Sequence, residues 1–152
     1  MDEFDDMFWG NGDTTLLEKD IQVFERAFEL LCKSEPDSID YAMYSAACIK
    51  EFDIILGQSR HVLKFALRPY CTEKEKNGIT IYDVFPMAFR KKIISLKDSK
   101  RWIKYEECRE DLEYEDDCNF AHENLKVFPE FINDAKLLLK AIKDQNDPAT
   151  VI

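Results

Sequence analysis

From residue 15 to residue 145, apolar side chains recur every three or four positions, the period of helices with one buried face. Thr15 and Glu18 have the spacing of a capping box, and Leu17, Ile21, Phe24, Phe28 and Leu31 continue as one stripe, so a first helix starts near Thr15. Ser34-Glu-Pro-Asp-Ser38 reads as a turn that supplies an N-cap. Ala42, Ala46, Ile49, Phe52, Leu56, Leu63 and Leu67 then predict a long second helix that stops at Pro69. Residues 70–78 are polar and charged, and after them Ile81, Phe85, Phe89 and Ile93 mark a shorter third helix, with Pro86 tolerable only near its start. Asp98 or Ser99 is expected to cap a fourth helix carrying Trp102, Tyr105 and Leu112. Val127, Phe131, Ala135, Leu138 and Ile142 form the last stripe, in which Pro129 marks a kink or the true start.

No alternating pattern longer than a few residues and no internal repeat interrupts this series, so the expected fold is all-α, an antiparallel up-and-down bundle of four to five helices. With 152 residues and 45% hydrophobic content, the chain is long enough for one core and too short for two. Residues 1–12 mix Asp and Glu with Phe4, Phe8 and Trp9 and end in Gly10-Asn11-Gly12, the composition of a tail. The bundle is assigned to residues 13–145 and a second tail to residues 146–152.

Charge narrows the functions. A formal charge of −10, from 31 acidic and 21 basic residues, repels a phosphate backbone and disfavours direct nucleic-acid binding. The five cysteines are odd in number and lack a C-x-x-C pair, which reads as reduced thiols in a cytoplasmic protein. No stretch is apolar enough to span a membrane. Phosphate-loop, zinc-protease and nucleophile-elbow signatures are all missing, and His61 and His122 stand without neighbours at ligand spacing, so neither cofactor nor metal is expected. The acidic run from Glu110 to Asp117 departs from calcium-loop spacing and reads as a solvated face. Ser59 has no histidine beside it in the sequence to activate its hydroxyl.

One stretch carries more specific information. Trp102-Ile-Lys-Tyr105-Glu-Glu-Cys-Arg109, continued by Glu-Asp-Leu-Glu-Tyr114-Glu-Asp116, resembles the segment W-x-x-Y-x-x-x-R-N-x-x-S-H-x-Y of the nucleotidyltransferase substrate-binding proteins, a family of the HEPN superfamily. Trp102, Tyr105 and Arg109 match it. Ile49-Lys-Glu-Phe52-Asp53 and Ser59 are similar to the family's long-helix segment, where an aromatic-acidic pair precedes a serine. The order of helices extends the resemblance over about residues 15–145. It implies a HEPN-like bundle, a homodimer with the motif helices at its two-fold interface, and a small nucleotidyltransferase as partner in a toxin-antitoxin-like pair. It places binding on Ser59, Trp102, Tyr105, Arg109 and Glu110.

The resemblance also shows what is missing. In HEPN ribonucleases the motif arginine acts with a histidine after four intervening residues, and here that position is Tyr114. An imidazole exchanges protons near neutrality, whereas a phenol with a pKa of about 10 is a poor general base. The asparagine after the arginine is Glu110 and the closing tyrosine, a nucleotide acceptor in some members, is Asp116; both changes add negative charge around Arg109. The degenerate positions Arg109, Tyr114 and Asp116 therefore form no complete catalytic set, although His122 is a possible substitute if it reaches Arg109. Three functions follow: a noncatalytic module that binds a nucleotidyltransferase, a ribonuclease toxin with an unusual site, or an acidic inhibitor of a basic nuclease. In a variant of the first, Tyr105 or Tyr114 accepts a nucleotide from the partner.

Overall fold

The computed structural model of the chain describes residues 12–111 and 116–146. Among them are seven α-helices and no strand: α1 (Thr15–Cys32), α2 (Ile39–Leu67), α3 (Glu73–Gly78), α4 (Val84–Arg90), α5 (Leu96–Glu110), α6 (Asp117–Glu123) and α7 (Val127–Asn146). Short 3-10 turns at Arg68–Tyr70 and Ile81–Asp83 lead into α3 and α4. The expected all-α class is observed. The helices exceed the four to five anticipated because α3 and α6, six and seven residues long, arise in segments that carry too few apolar positions to show a period.

Side-chain pairs give the directions of the long helices. Glu18 of α1 bonds Lys143 of α7, and Glu25 reaches Lys136 at 2.6 Å, so the two run in opposite senses. On α2 and α5 the pairs are Arg60 with Glu106 and Asp53 with Arg109, again reversed. The rings of these helices meet at Phe131 of α7, which lies 5.9 Å from Phe24 (α1), 4.6 Å from Phe52 (α2), and 5.6 and 4.9 Å from Trp102 and Tyr105 (α5). Each buried ring of this kind contributes roughly 1.5–3 kcal/mol through removal from water, and the edge-on contacts add to that.

Local chemistry sets the helix ends, and several differ from expectation. The Asp13 carboxylate accepts the Thr15 amide at 2.9 Å, so α1 is closed by Asp13 rather than by a Thr15–Glu18 box. Ser38 caps α2 as expected, its hydroxyl accepting from the Tyr41 amide at 3.0 Å. Ser95, not Asp98 or Ser99, caps α5. Pro129 falls in the first turn of α7, where its missing amide costs nothing, so it marks the start of the helix. The α4 helix ends before Ile93: the Ile93 amide donates to Ala88 and the Lys92 amide to Phe89, a Schellman closure with Lys92 in the left-handed region at φ 64°. Glycine is usual there, and its absence hid the stop.

In the first turns of α2 the buried residues are Tyr41, Ser45 and Cys48, whereas Ala42 and Ala46 are exposed. From Ile49 onward the expected stripe is buried at Ile49, Phe52, Leu56, Leu63 and Leu67, and the buried face widens to take in Tyr41, Ser45, Cys48, Ile55, Ser59, Val62 and Ala66, the serines within it having masked its phase in the first turns. Residues 1–11 and 147–152, and hence nearly all of both assigned tails, lie outside the described residues, as do Leu112 and Tyr114. No described helix is long and apolar enough to cross a membrane. None of the five cysteines is in a disulfide.

Candidate functional site

The stretch that resembles the HEPN motif occupies α5, which runs from the core outward. Trp102 and Tyr105 are each 1% exposed, while the Arg109 side chain, one turn further, is 38% exposed. Spacing of three and four keeps all three on the face toward α2 and α7. Trp102 stacks on Phe85 of α4 with 5.0 Å between centroids and 8° between planes.

The Tyr105 hydroxyl donates to Asp134 at 2.5 Å, and the Arg101 guanidinium grips the same carboxylate with Nε at 2.9 Å and a terminal nitrogen at 2.7 Å. Asp98 accepts a further Arg101 hydrogen bond at 3.1 Å. This network joins α5 to α7 inside the core, since Asp134 is 3% exposed. Burial pushes the Tyr105 phenol well above its ordinary value, and the bond to Asp134 adds to that, so it does not serve as a proton acceptor. A ligand reaching Trp102 or Tyr105 would have to open the core.

Arg109 meets Asp53 of α2, its Nε donating to the carboxylate at 2.8 Å. One turn nearer the core, Arg60 of α2 lies 3.7 Å from Glu106, whose carboxyl is raised by burial despite the nearby guanidinium. Ser59, adjacent in sequence to Arg60, is fully buried, and its Oγ has no hydrogen-bond partner. The aromatic-acidic pair noted on the long helix thus reaches the motif helix through Asp53, while Ser59 is buried in the core.

The remaining motif positions take other places. Glu110 is exposed in the last turn of α5. Asp116 is the N-cap of α6, its carboxylate accepting the Asn119 amide at 2.9 Å. Tyr114 lies outside the described residues. The His122 ring is 3.5 Å from the Tyr41 hydroxyl. Tyr41 and Asp53 are twelve residues apart on α2, about 18 Å along its axis, so His122 and Arg109 are not brought together. His61 is exposed beside Asp13, Leu16 and Gln58. No three His, Cys, Asp or Glu side chains gather as a metal site among the described residues.

Two acids escaped the sequence reading. Asp134 stands at a core position between Phe131 and Leu138, a charge in an apolar stripe, which is the signal that was there to be used. Glu51, 8% exposed on α2, faces Asp20 of α1; burial first, and the neighbouring acid second, push its carboxyl up to about 7. What the α2–α5–α7 seam offers is a set of fixed ion pairs and buried rings. No family model matches the chain, and no curated protein and no solved structure shows significant similarity to it.

Proposed function

We propose that this chain is a noncatalytic binding module: an antiparallel up-and-down HEPN-type bundle that forms a homodimer and partners a small nucleotidyltransferase in a toxin-antitoxin-like pair. The supporting observation is the bond between Arg109 and Asp53 at 2.8 Å. A guanidinium that holds a carboxylate is partly neutralised, and it stabilises an approaching phosphodiester poorly. The reversed directions of the long helices are those of an up-and-down bundle, and the Trp102, Tyr105 and Arg109 pattern supplies the link to the family.

The test is RNA cleavage by the purified chain, alone and together with a small nucleotidyltransferase, with Arg109→Ala as control. No cleavage, together with a stable complex in gel filtration, is expected. Cleavage that disappears in Arg109→Ala would overturn this reading and make the chain a ribonuclease with a rebuilt site. A chain that stays monomeric in solution scattering would remove the dimer from it.

A further inference from the structure

Charge is distributed unevenly along this chain. Residues 60–104 hold twelve of its 21 Lys and Arg but four of its 31 Asp and Glu, so that stretch carries +8 and the remainder −18. Each of the four acids is already engaged. Glu73 pairs with Lys76 at 3.4 Å, Glu75 with Lys91 at 2.8 Å and Asp98 with Arg101 at 3.1 Å, while Asp83 accepts from the Thr80 amide and hydroxyl. Several of the cations are not. Arg90, Lys92, Lys97 and Lys100 are all exposed, and among the described residues no carboxylate lies within ion-pair distance of them.

These four side chains border apolar surface. Helix α4 ends at Arg90, and α5 starts at Leu96. The link between them edges a cleft of about 560 Å³ lined by Phe89, Arg90, Lys92, Ile93, Ile94 and Leu96. Leu96 is 51% exposed, and Lys100 stands one turn after it on the same face of α5. Neither feature serves the fold: Lys97 lies in the first turn of α5, where a cation opposes the helix dipole, and Leu96 leaves apolar surface in water. The link's own backbone is closed to a partner strand, because the amides of residues 91–94 donate to Met87, Ala88 and Phe89 of α4. Recognition at the cleft falls to side chains.

An occupant has to bring carboxylates and apolar groups together. A nucleic acid or an anionic membrane presents an extended negative field, which the −18 on the rest of the chain opposes. A short acidic segment meets the cleft alone. We propose that the 89–96 cleft docks a short segment of a partner protein in which Asp or Glu alternates with large apolar residues. Its carboxylates meet Arg90, Lys92, Lys97 and Lys100, and its apolar side chains cover Leu96. Such a partner need not be a nucleotidyltransferase, for Arg109 lies thirteen residues beyond Leu96, about 20 Å along α5.

The probe is a fluorescent peptide, Glu-Leu-Glu-Glu-Phe-Leu-Glu-Glu, titrated with the full chain and followed by anisotropy. The salt is about 0.1 M, which screens charges more than about 10 Å away. It is expected to bind at least about tenfold more tightly than its counterpart with serine in place of Leu and Phe. Lys92→Glu, Lys97→Glu and Lys100→Glu together should weaken it by at least about tenfold, and Leu96→Ser by about threefold. Reversing the exposed Lys19, Lys126 and Lys140 instead changes the total charge equally and should leave binding intact. Helical circular dichroism checks that each variant folds. No binding, equal binding of the two peptides, or equal loss in the two triple variants overturns the proposal. So does tighter binding of a uridine oligonucleotide or of phosphatidylserine vesicles by the same lysines, which would make the cleft a nucleic-acid or membrane site. Self-association abolished by the first triple reversal would make a second copy the occupant and overturn it as well.

Discussion

Asp134 and Glu51 are both carboxylates withdrawn from water, one surrounded by donors and the other facing a second acid. Removing Asp134 leaves the Arg101 guanidinium and the Tyr105 hydroxyl without their shared acceptor. Asp134→Ala is therefore expected to cost about 3 kcal/mol, and Tyr105→Phe, which removes one donor and keeps the ring, about 1 kcal/mol; urea denaturation measures both. Arg109→Ala should change stability by no more than about 0.5 kcal/mol, because an exposed pair is screened by solvent. Equal losses for Asp134→Ala and Arg109→Ala would show that burial does not separate them. Glu51 behaves differently. Its carboxyl titrates at about 7 in the folded chain, against 4.5 ordinarily, so folding favours the neutral form. That support is complete below about pH 4.5 and is lost as the pH rises through about 7. Glu51→Gln is expected to raise the melting temperature more at pH 8 than at pH 5, by the equivalent of about 1–2 kcal/mol. Equal effects at the two pH values would mean that Glu51 is not withdrawn from water.

The long elements were legible in sequence because each repeats one apolar face over several turns: Leu17 to Leu31 in α1 and Phe131 to Ile142 in α7 lie where the spacing put them. Two of the short ones, α3 and α6, were not. The α3 helix owes its existence to the Thr72–Glu75 capping box, and α6 to the Asp116 cap, neither of which leaves a periodic trace. The candidate site was legible in the same measure. Trp102, Tyr105 and Arg109 share a face as their spacing requires, but their partners Asp134 and Asp53 come from helices 29 and 56 residues away in sequence, and no local pattern announces such a pairing. The end of α4 was hidden by a lysine in a position that favours glycine. Lys92→Gly is accordingly expected to stabilise the fold by about 1 kcal/mol, read as a higher melting temperature; a lower one would show that the Lys92 side chain matters more to the link than its backbone strain.

Across the whole molecule, α2 is the longest element, 29 residues or about 44 Å. It packs against α1 and lends Asp53 and Arg60 to α5. Residues 60–104 carry twelve Lys and Arg against four Asp and Glu while the rest of the chain is acidic, and so uneven a charge orients the chain in the field of a charged partner, with a rate of association that should fall steeply with added salt. The stack of Trp102 on Phe85 has an optical consequence. Two aromatic planes fixed face to face in a chiral interior give near-ultraviolet ellipticity that depends on their separation, whereas far-ultraviolet ellipticity depends on helix content alone. If α4 slides away from α5, the first signal changes and the second does not, so the motion of one short helix can be followed in solution without a label.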